Sequence, residues 1–207
     1  MTRTDCLKAI FAAAPEAPVV LTTGYTCRDA FAFNDREGSF YMVGSMGLAG
    51  SIGIGVALCT RLPTIVVDGD GALLMNPGNL FLAAHLRLAN LVHLVLDNRS
   101  YESTGGQKSI ADSVDFAKVA LHSGYRFGET VTTLPDFERL LKRVLVSGSG
   151  PALIHAVLDG VAAPIAPRIP IPLREISKRF RRFLTERAHL HAQSHSHYAC
   201  NVRSGSE

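Results

Sequence analysis

What the chain lacks narrows its class before any motif is read. Its four cysteines, Cys6, Cys27, Cys59 and Cys200, lie far apart and form no C-x-x-C pair, so neither a disulfide framework nor a thiolate zinc site is indicated and a reducing compartment fits. No apolar run is both long and free of charge, as a membrane span has to be, and the opening Met-Thr-Arg-Thr-Asp-Cys has no signal-peptide core. A soluble, cytoplasmic protein without a membrane partner is therefore expected. Charge of one sign is also scarce. Residues 169–207 hold seven Lys/Arg against three Asp/Glu, which leaves residues 1–168 at −1 of the total +3. A nearly neutral body offers no footprint for nucleic acid, and the basic end reads as a solvated helix surface. Internal repeats are absent.

What is there suits one well-buried domain: 207 residues, 47% of them hydrophobic. Short β-branched runs alternate with longer helix-like stretches, a rhythm that predicts parallel strands covered by helices. Strands are expected at Val19–Thr22, Phe40–Val43, Thr64–Asp68, Leu91–Asp97, Tyr125–Thr130 and Ala152–Val157, and helices at Thr4–Ala14, Gly47–Cys59, Gly78–Leu88, Asp115–Ser123 and Leu134–Val146. The fold class is α/β: a doubly wound, mainly parallel six-stranded sheet with helices on both faces. Asp115 and Asp136 sit where a helix-start residue would cap free N–H groups. Pro164, Pro167, Pro170 and Pro172 forbid regular structure before a last basic helix from Leu173 to about Arg187. The expected domain is 1–187. Residues 188–207, with His189, His191, His195 and His197, read as a disordered His/Ser-rich tail rather than a metal site.

Two strand ends carry chemistry. Asp68-Gly69-Asp70-Gly71-Ala72 follows the apolar run Thr64–Val67, and in a doubly wound sheet the carboxyl ends of strands are where ligands bind. Gly69 and Gly71 admit the close approach of a phosphate, and Asp70 between them can hold a hard cation. Asp97-Asn98-Arg99-Ser100-Tyr101 ends the next strand, one helix and one strand later, so the two loops become neighbours. Mg²⁺ takes about six oxygens; Asp70, the Asn98 amide oxygen and the Ser100 carbonyl supply the protein's share, with a diphosphate completing it.

A Gly-Asp-Gly followed at this distance by Asn resembles the diphosphate-and-magnesium motif of thiamine-diphosphate enzymes. Gly44-Ser45-Met46-Gly47 fits the same family, in which a glycine carbonyl accepts from the cofactor's 4′-amino group and a bulky apolar residue wedges the cofactor into its bent shape. The resemblance assigns these roles to Gly44 and Met46, and places Ser45, Gly69, Gly71, Ala72, Asn98, Ser100 and Tyr101 against thiamine diphosphate. More closely, Gly24-Tyr25-Thr26-Cys27-Arg28, the run Phe40 to Gly47, and Tyr101-Glu102-Ser103-Thr104-Gly105-Gly106-Gln107 resemble the phosphonopyruvate and sulfopyruvate decarboxylases over about residues 2–185. Two departures stand out: Arg99 where a small residue, often Gly, is usual, and Lys108 where Pro is frequent.

The resemblance implies decarboxylation of a small anionic 2-oxo acid, with Glu102 to Gln107 orienting its carboxylate and second anionic group. It also implies a missing part. Related enzymes take the glutamate that faces the pyrimidine from a separate pyrimidine-binding domain, and two such domains need more than ~300 residues. A hetero-oligomer with a pyrimidine-binding alpha subunit is expected. The Glu-Ser-Thr-Gly-Gly-Gln run favours 3-phosphonopyruvate, whereas a separate short chain favours 3-sulfopyruvate. Other readings are an acetolactate-synthase-like carboligase fragment and a non-catalytic cofactor-binding module; a nicotinamide-binding domain is disfavoured because no G-x-G-x-x-G opens the first helix.

Overall fold

The computed structural model describes residues 1–160 and 164–201, with side chains described through Arg187. Six parallel strands form one sheet: β1 (Val19–Leu21), β2 (Ser39–Tyr41), β3 (Thr64–Gly69), β4 (Leu91–Asp97), β7 (Phe127–Val131) and β8 (Ala152–Val157), in the order β2-β1-β3-β4-β8-β7. The expectation of a mainly parallel sheet thus becomes an all-parallel one. β4 is buried at every position, as its near-continuous apolar run, interrupted only at His93 before Asp97 ends it, requires in a sheet covered on both faces. One helical layer comprises α1 (Arg3–Ala13), α2 (Tyr25–Asn34) and α7 (Leu134–Ser147); the other comprises α3 (Ala49–Cys59), α5 (Gly78–His85) and α6 (Phe116–Ser123).

Two helices and a hairpin escape the sequence pattern. The buried positions of α2 are Thr26, Cys27, Asp29 and Ala30, small or polar side chains that draw no apolar stripe. The helix α4 (Asp70–Met75) is too short for a periodicity to show, and β5 (Ser100–Tyr101) pairs antiparallel with β6 (Gln107–Lys108) over two residues each. Asp115 caps α6 as expected, accepting from the Lys118 N–H at 3.0 Å. Asp136 does not cap α7. Its backbone N–H instead donates to the Thr133 hydroxyl at 3.3 Å, because Pro135, which has no N–H to satisfy, fits the first turn and the helix starts ahead of Asp136.

The last helix, α8 (Leu173–Asn201), runs past the expected end near Arg187; no proline or glycine interrupts residues 173–204. Side chains from 188 onward and residues 202–207 lie outside the described residues, and with them the histidines of the expected tail. The first turns of α8 pack on β2, with Phe180 and Phe40 ring centroids 5.4 Å apart. Arg179 meets Asp35 at 2.9 Å, and Arg182 and Arg187 pair with Glu37 and Glu16, so the basic helix meets the acids of the body itself. No helix among the described residues is long and apolar enough to cross a membrane.

α3 lies close to the sheet because Gly53 has no side chain: a Cβ there would come within 2.1 Å of Val66 Cγ2, whereas one at Gly55 would meet nothing within 4 Å. Gly53→Ala is therefore expected to destabilise the chain by about 1–3 kcal/mol through overpacking. Gly55→Ala, on the exposed side of the same helix, should stabilise it by roughly 0.5–1 kcal/mol. Urea unfolding of both variants checks this; equal effects would contradict the packing account.

Candidate cofactor site

A cleft opens at the carboxyl ends of β1, β3 and β4. In register, Gly69 lies opposite Leu96, so Asp70 and Asn98 emerge side by side from neighbouring strands, and both line the cleft with Thr22 from the end of β1. The chain leaves β1 toward β2 on one side and β3 on the other, which makes this the switch point of the sheet. Asp70 is 2% exposed and its carboxylate accepts from the Ser109 hydroxyl. Burial raises its carboxyl above the ordinary 3.8, with the nearby Asp97 charge adding to the rise and the Ser109 hydrogen bond opposing it.

Gly71 has no room for a side chain, since a Cβ would fall 2.4 Å from Tyr101 Cε1. The Tyr101 ring thus packs against the Cα of Gly71. Gly69 is open: the nearest atom to a Cβ there is the Leu96 carbonyl oxygen at 3.8 Å.

The loop after β4 is held from three sides. Asp97 accepts the Arg99 N–H at 2.8 Å, the Asn98 side-chain oxygen accepts the Ser100 N–H at 3.1 Å, and the Asn98 amide donates to Glu102 at 3.1 Å. Glu102 also takes Arg3 Nη1 at 2.6 Å, while Arg3 Nε donates to Asp29 at 2.7 Å. Glu102 is therefore engaged with Arg3 and Asn98, and its link to Asn98 leaves that residue's oxygen as the acceptor. Arg99 occupies the left-handed region, φ 59°, which explains why glycine is usual there. Its guanidinium pairs with Asp112 at 3.0 Å, as does Lys108 at 2.8 Å.

Met46, half-buried, lines the cleft with Gly69, Ala72 and Ser100. Gly44 and Ser45 do not line it; both are exposed in the turn after β2. β2 is the edge strand on the far side of β1, so that turn stands one strand farther out. Sequence reasoning missed Arg3, Thr22 and Ser109. Arg3 lies 99 residues from Glu102, a separation that no local motif spans.

The donors suit a diphosphate with a hard cation. The Asp70 carboxylate, the Asn98 oxygen and backbone carbonyls are all oxygen ligands, as Mg²⁺ prefers. Gly69 leaves the first N–H groups of α4 without a side-chain cap, and the Thr22 hydroxyl is buried with no partner among the described residues. No cluster of three or more His, Cys, Asp or Glu forms among them, so nothing here suits a softer metal centre. The cleft encloses about 60 Å³, far below the roughly 300–1,000 Å³ of a pocket that surrounds a small molecule.

Residues 21–156 match the family described as thiamine pyrophosphate enzyme, C-terminal TPP binding domain, and the chain belongs to that family. Among individual relatives, it is 42% identical to the phosphonopyruvate decarboxylase of Streptomyces viridochromogenes over 190 residues, covering 89% of this chain and 46% of that one. It is 34% identical to the sulfopyruvate decarboxylase subunit beta of Methanothermobacter thermautotrophicus, covering 87% and 94%. The chain thus spans about half the length of the phosphonopyruvate decarboxylases it matches. The fold is similar to a thiamine diphosphate-dependent 4-hydroxybenzoylformate decarboxylase from Rhodococcus jostii, with TM-score 0.65 and 23% identity over 78% of this chain and 33% of that one.

Asp70 offers a test of the cation site. A carboxyl raised on folding stabilises the fold below its ordinary value, and that contribution is lost as pH rises through the raised value. At pH 7 the ionised Asp70 therefore weakens the metal-free chain. Asp70→Asn is expected to raise the urea midpoint of the metal-free chain at pH 7, with the gain fading toward pH 4, and to weaken Mg²⁺-dependent binding of thiamine diphosphate by at least about 100-fold. Calorimetric titration reads the second effect, and unchanged binding would remove Asp70 from the cation site.

Proposed function

We propose that this chain is the diphosphate-binding beta subunit of a cytoplasmic, thiamine-diphosphate- and Mg²⁺-dependent decarboxylase of a 3-substituted pyruvate, with 3-phosphonopyruvate favoured over 3-sulfopyruvate. The observation that carries this reading is the convergence of Asp70 and Asn98 in one cleft beside the unpartnered Thr22 hydroxyl. Asp70, the Asn98 oxygen and the Ser100 carbonyl would hold Mg²⁺. The N–H groups of Gly69, Gly71 and Ala72 and the Thr22 hydroxyl would bind diphosphate oxygens, and Tyr101 backs this wall. Met46 would press on the cofactor from the cleft, and the Gly44 carbonyl with Ser45 would reach it from the rim. Bound thiamine diphosphate supplies the electron sink into which the bond to CO₂ breaks. Glu102 acts as a positioning residue, because its contacts are Arg3 and Asn98.

A cleft of this size walls one side of the cofactor, and the other wall would come from a pyrimidine-binding alpha subunit that brings the catalytic glutamate. Exposed apolar side chains support a partner: Leu48 is 44% and Met75 57% exposed beside the same turn, with Val43 nearby at 56%. Such rims mark interaction surfaces. The higher identity to the phosphonopyruvate enzyme supports the phosphonate; the match to nearly the whole of a sulfopyruvate decarboxylase beta subunit favours the sulfonate as second reading.

The chain purified alone, given thiamine diphosphate and Mg²⁺, is expected to release no CO₂ above the uncatalysed rate. Tagged chain isolated from its native cells should bring a second chain of similar size and decarboxylate 3-phosphonopyruvate faster than 3-sulfopyruvate or pyruvate. Full turnover by the lone chain would refute the divided site, and a preference for pyruvate would refute the substrate assignment.

A further inference from the structure

Beside the cofactor cleft lies a second cavity, of about 420 Å³, at the carboxyl ends of β1 and β2. It shares Thr23 and Ser103 with the cleft, and these two segments touch closely: a Cβ at Gly24 would fall 2.8 Å from Ser103 Oγ. Two arginines line the cavity, Arg28 from α2 and Arg168 from the proline-rich segment, and no carboxylate does.

Among the described residues no carboxylate takes the charge of either arginine. Arg28 is half-buried, its guanidinium 5.2 Å from the centre of the Tyr25 ring, and neither it nor Arg168 forms an ion pair among the described residues. Arg3, on the same ring at 5.7 Å, differs: its charge is taken by Asp29 and Glu102. Arg168 is held near the site because its neighbours Ile169 and Ile171 pack against the core. Cys27, also in the wall, is no nucleophile. Its Sγ lies within hydrogen-bond distance of the carbonyls of Leu21, Thr22 and Met42, nearest that of Thr22 at 2.9 Å, and burial pushes its ionisation upward.

We infer that this cavity is the subsite for a tetrahedral oxyanion on the substrate's third carbon, with Arg28 and Arg168 as its cations, an inference that rests on the decarboxylase reading. Guanidinium forks match the paired oxygens of a phosphonate or sulfonate. Two positive charges without an acid among them suit a phosphonate, which carries up to two negative charges, better than a sulfonate, which carries one. The volume lies within the roughly 300–1,000 Å³ range of small-molecule sites, and the shared wall sets the oxyanion next to the cofactor cleft. Selection of the second anionic group thus falls to Arg28 and Arg168, rather than to Glu102 to Gln107.

The test uses the full chain with thiamine diphosphate and Mg²⁺, titrated calorimetrically with methylphosphonate and, separately, with methanesulfonate. Arg28→Met and Arg168→Met are each expected to weaken methylphosphonate binding by about tenfold or more, while affinity for thiamine diphosphate stays unchanged. Arg28→Lys, which keeps the charge but not the fork, should retain only part of the binding, and Arg139→Met, at an exposed position of α7 that lines neither cavity, all of it. Methanesulfonate should bind more weakly than methylphosphonate in the unsubstituted chain. The inference is overturned if thiamine diphosphate binds and methylphosphonate does not, if both methionine variants bind it within twofold of the parent, or if methanesulfonate binds as tightly. Arginine-dependent methylphosphonate binding without thiamine diphosphate binding, in the lone chain and in its complex with the co-purified partner alike, would uphold the oxyanion site and refute the cofactor reading instead.

Discussion

A buried carboxylate without a cation of its own, Asp70 at the tip of β3, is the constraint around which the site is arranged. Three acids stand near the carboxyl ends of the central strands, and two have imidazole partners. Asp68 meets His93 at 3.0 Å and Asp97 meets His155 at 2.9 Å. In each pair the histidine sits on the next strand, two residues before the position opposite the acid, so the same diagonal contact occurs twice across the sheet. Among the described residues Asp70 has no cation partner; its carboxylate accepts from the Ser109 hydroxyl and from backbone N–H groups at its own helix start. Isolated buried charge is costly, and on the proposed reading a cation arriving with the diphosphate would relieve it. The fold would thus tolerate a local cost that cofactor binding removes, a pattern common where sites are prepared for a cation.

The same logic separates this cleft from an enclosed active site. Its floor is complete, with strand tips, helix N–H groups and the Thr22 hydroxyl all presented to one side. On the proposed reading its roof would come from the partner subunit, toward which the exposed apolar side chains of the rim are turned. A chain that covers nearly all of one relative's beta subunit and under half of another relative fits this division. The second cavity extends the floor outward under the edge of the sheet, where β2 and the proline segment approach each other. On the proposed reading, one surface would hold both the diphosphate and an anionic substrate without bringing the two sets of negative charge onto the same cations.

Much of the fold was legible because the central strands are buried on both faces: β4 and β8 were read from their near-continuous apolar runs with their ends correct. α2 was illegible because a helix tucked beside the sheet buries small and polar residues there. Asp70 and Asn98 could be paired from sequence, since parallel topology makes successive strand ends neighbours. Arg3, Ser109 and Arg168 could not, because their roles depend on tertiary contacts. Gly44 and Ser45 were placed in the site by resemblance, and the edge position of β2 puts them at its margin. The surplus of basic residues near the end was read as solvated, yet α8 uses it against Asp35, Glu37 and Glu16 in the body of the same chain.

Arg99 shows how the ligand loop is kept in shape without the glycine that is usual there. A left-handed conformation costs a side-chain-bearing residue roughly 1–2 kcal/mol. Against this stand the Arg99 N–H bond to Asp97 and the ion pair with Asp112, the latter exposed and worth little by itself. A residue other than glycine also has fewer unfolded conformations to lose. Asp97 is fixed in turn by His155, which approaches Thr130 Oγ1 at 3.2 Å. The path from β7 through β8 to Asp97 therefore sets the backbone at Arg99, and the path from Arg3 through Glu102 sets the Asn98 side chain. Asn98 is constrained from both directions, so on the proposed reading a cation would meet a preorganised oxygen and lose little of its binding energy to ordering the loop.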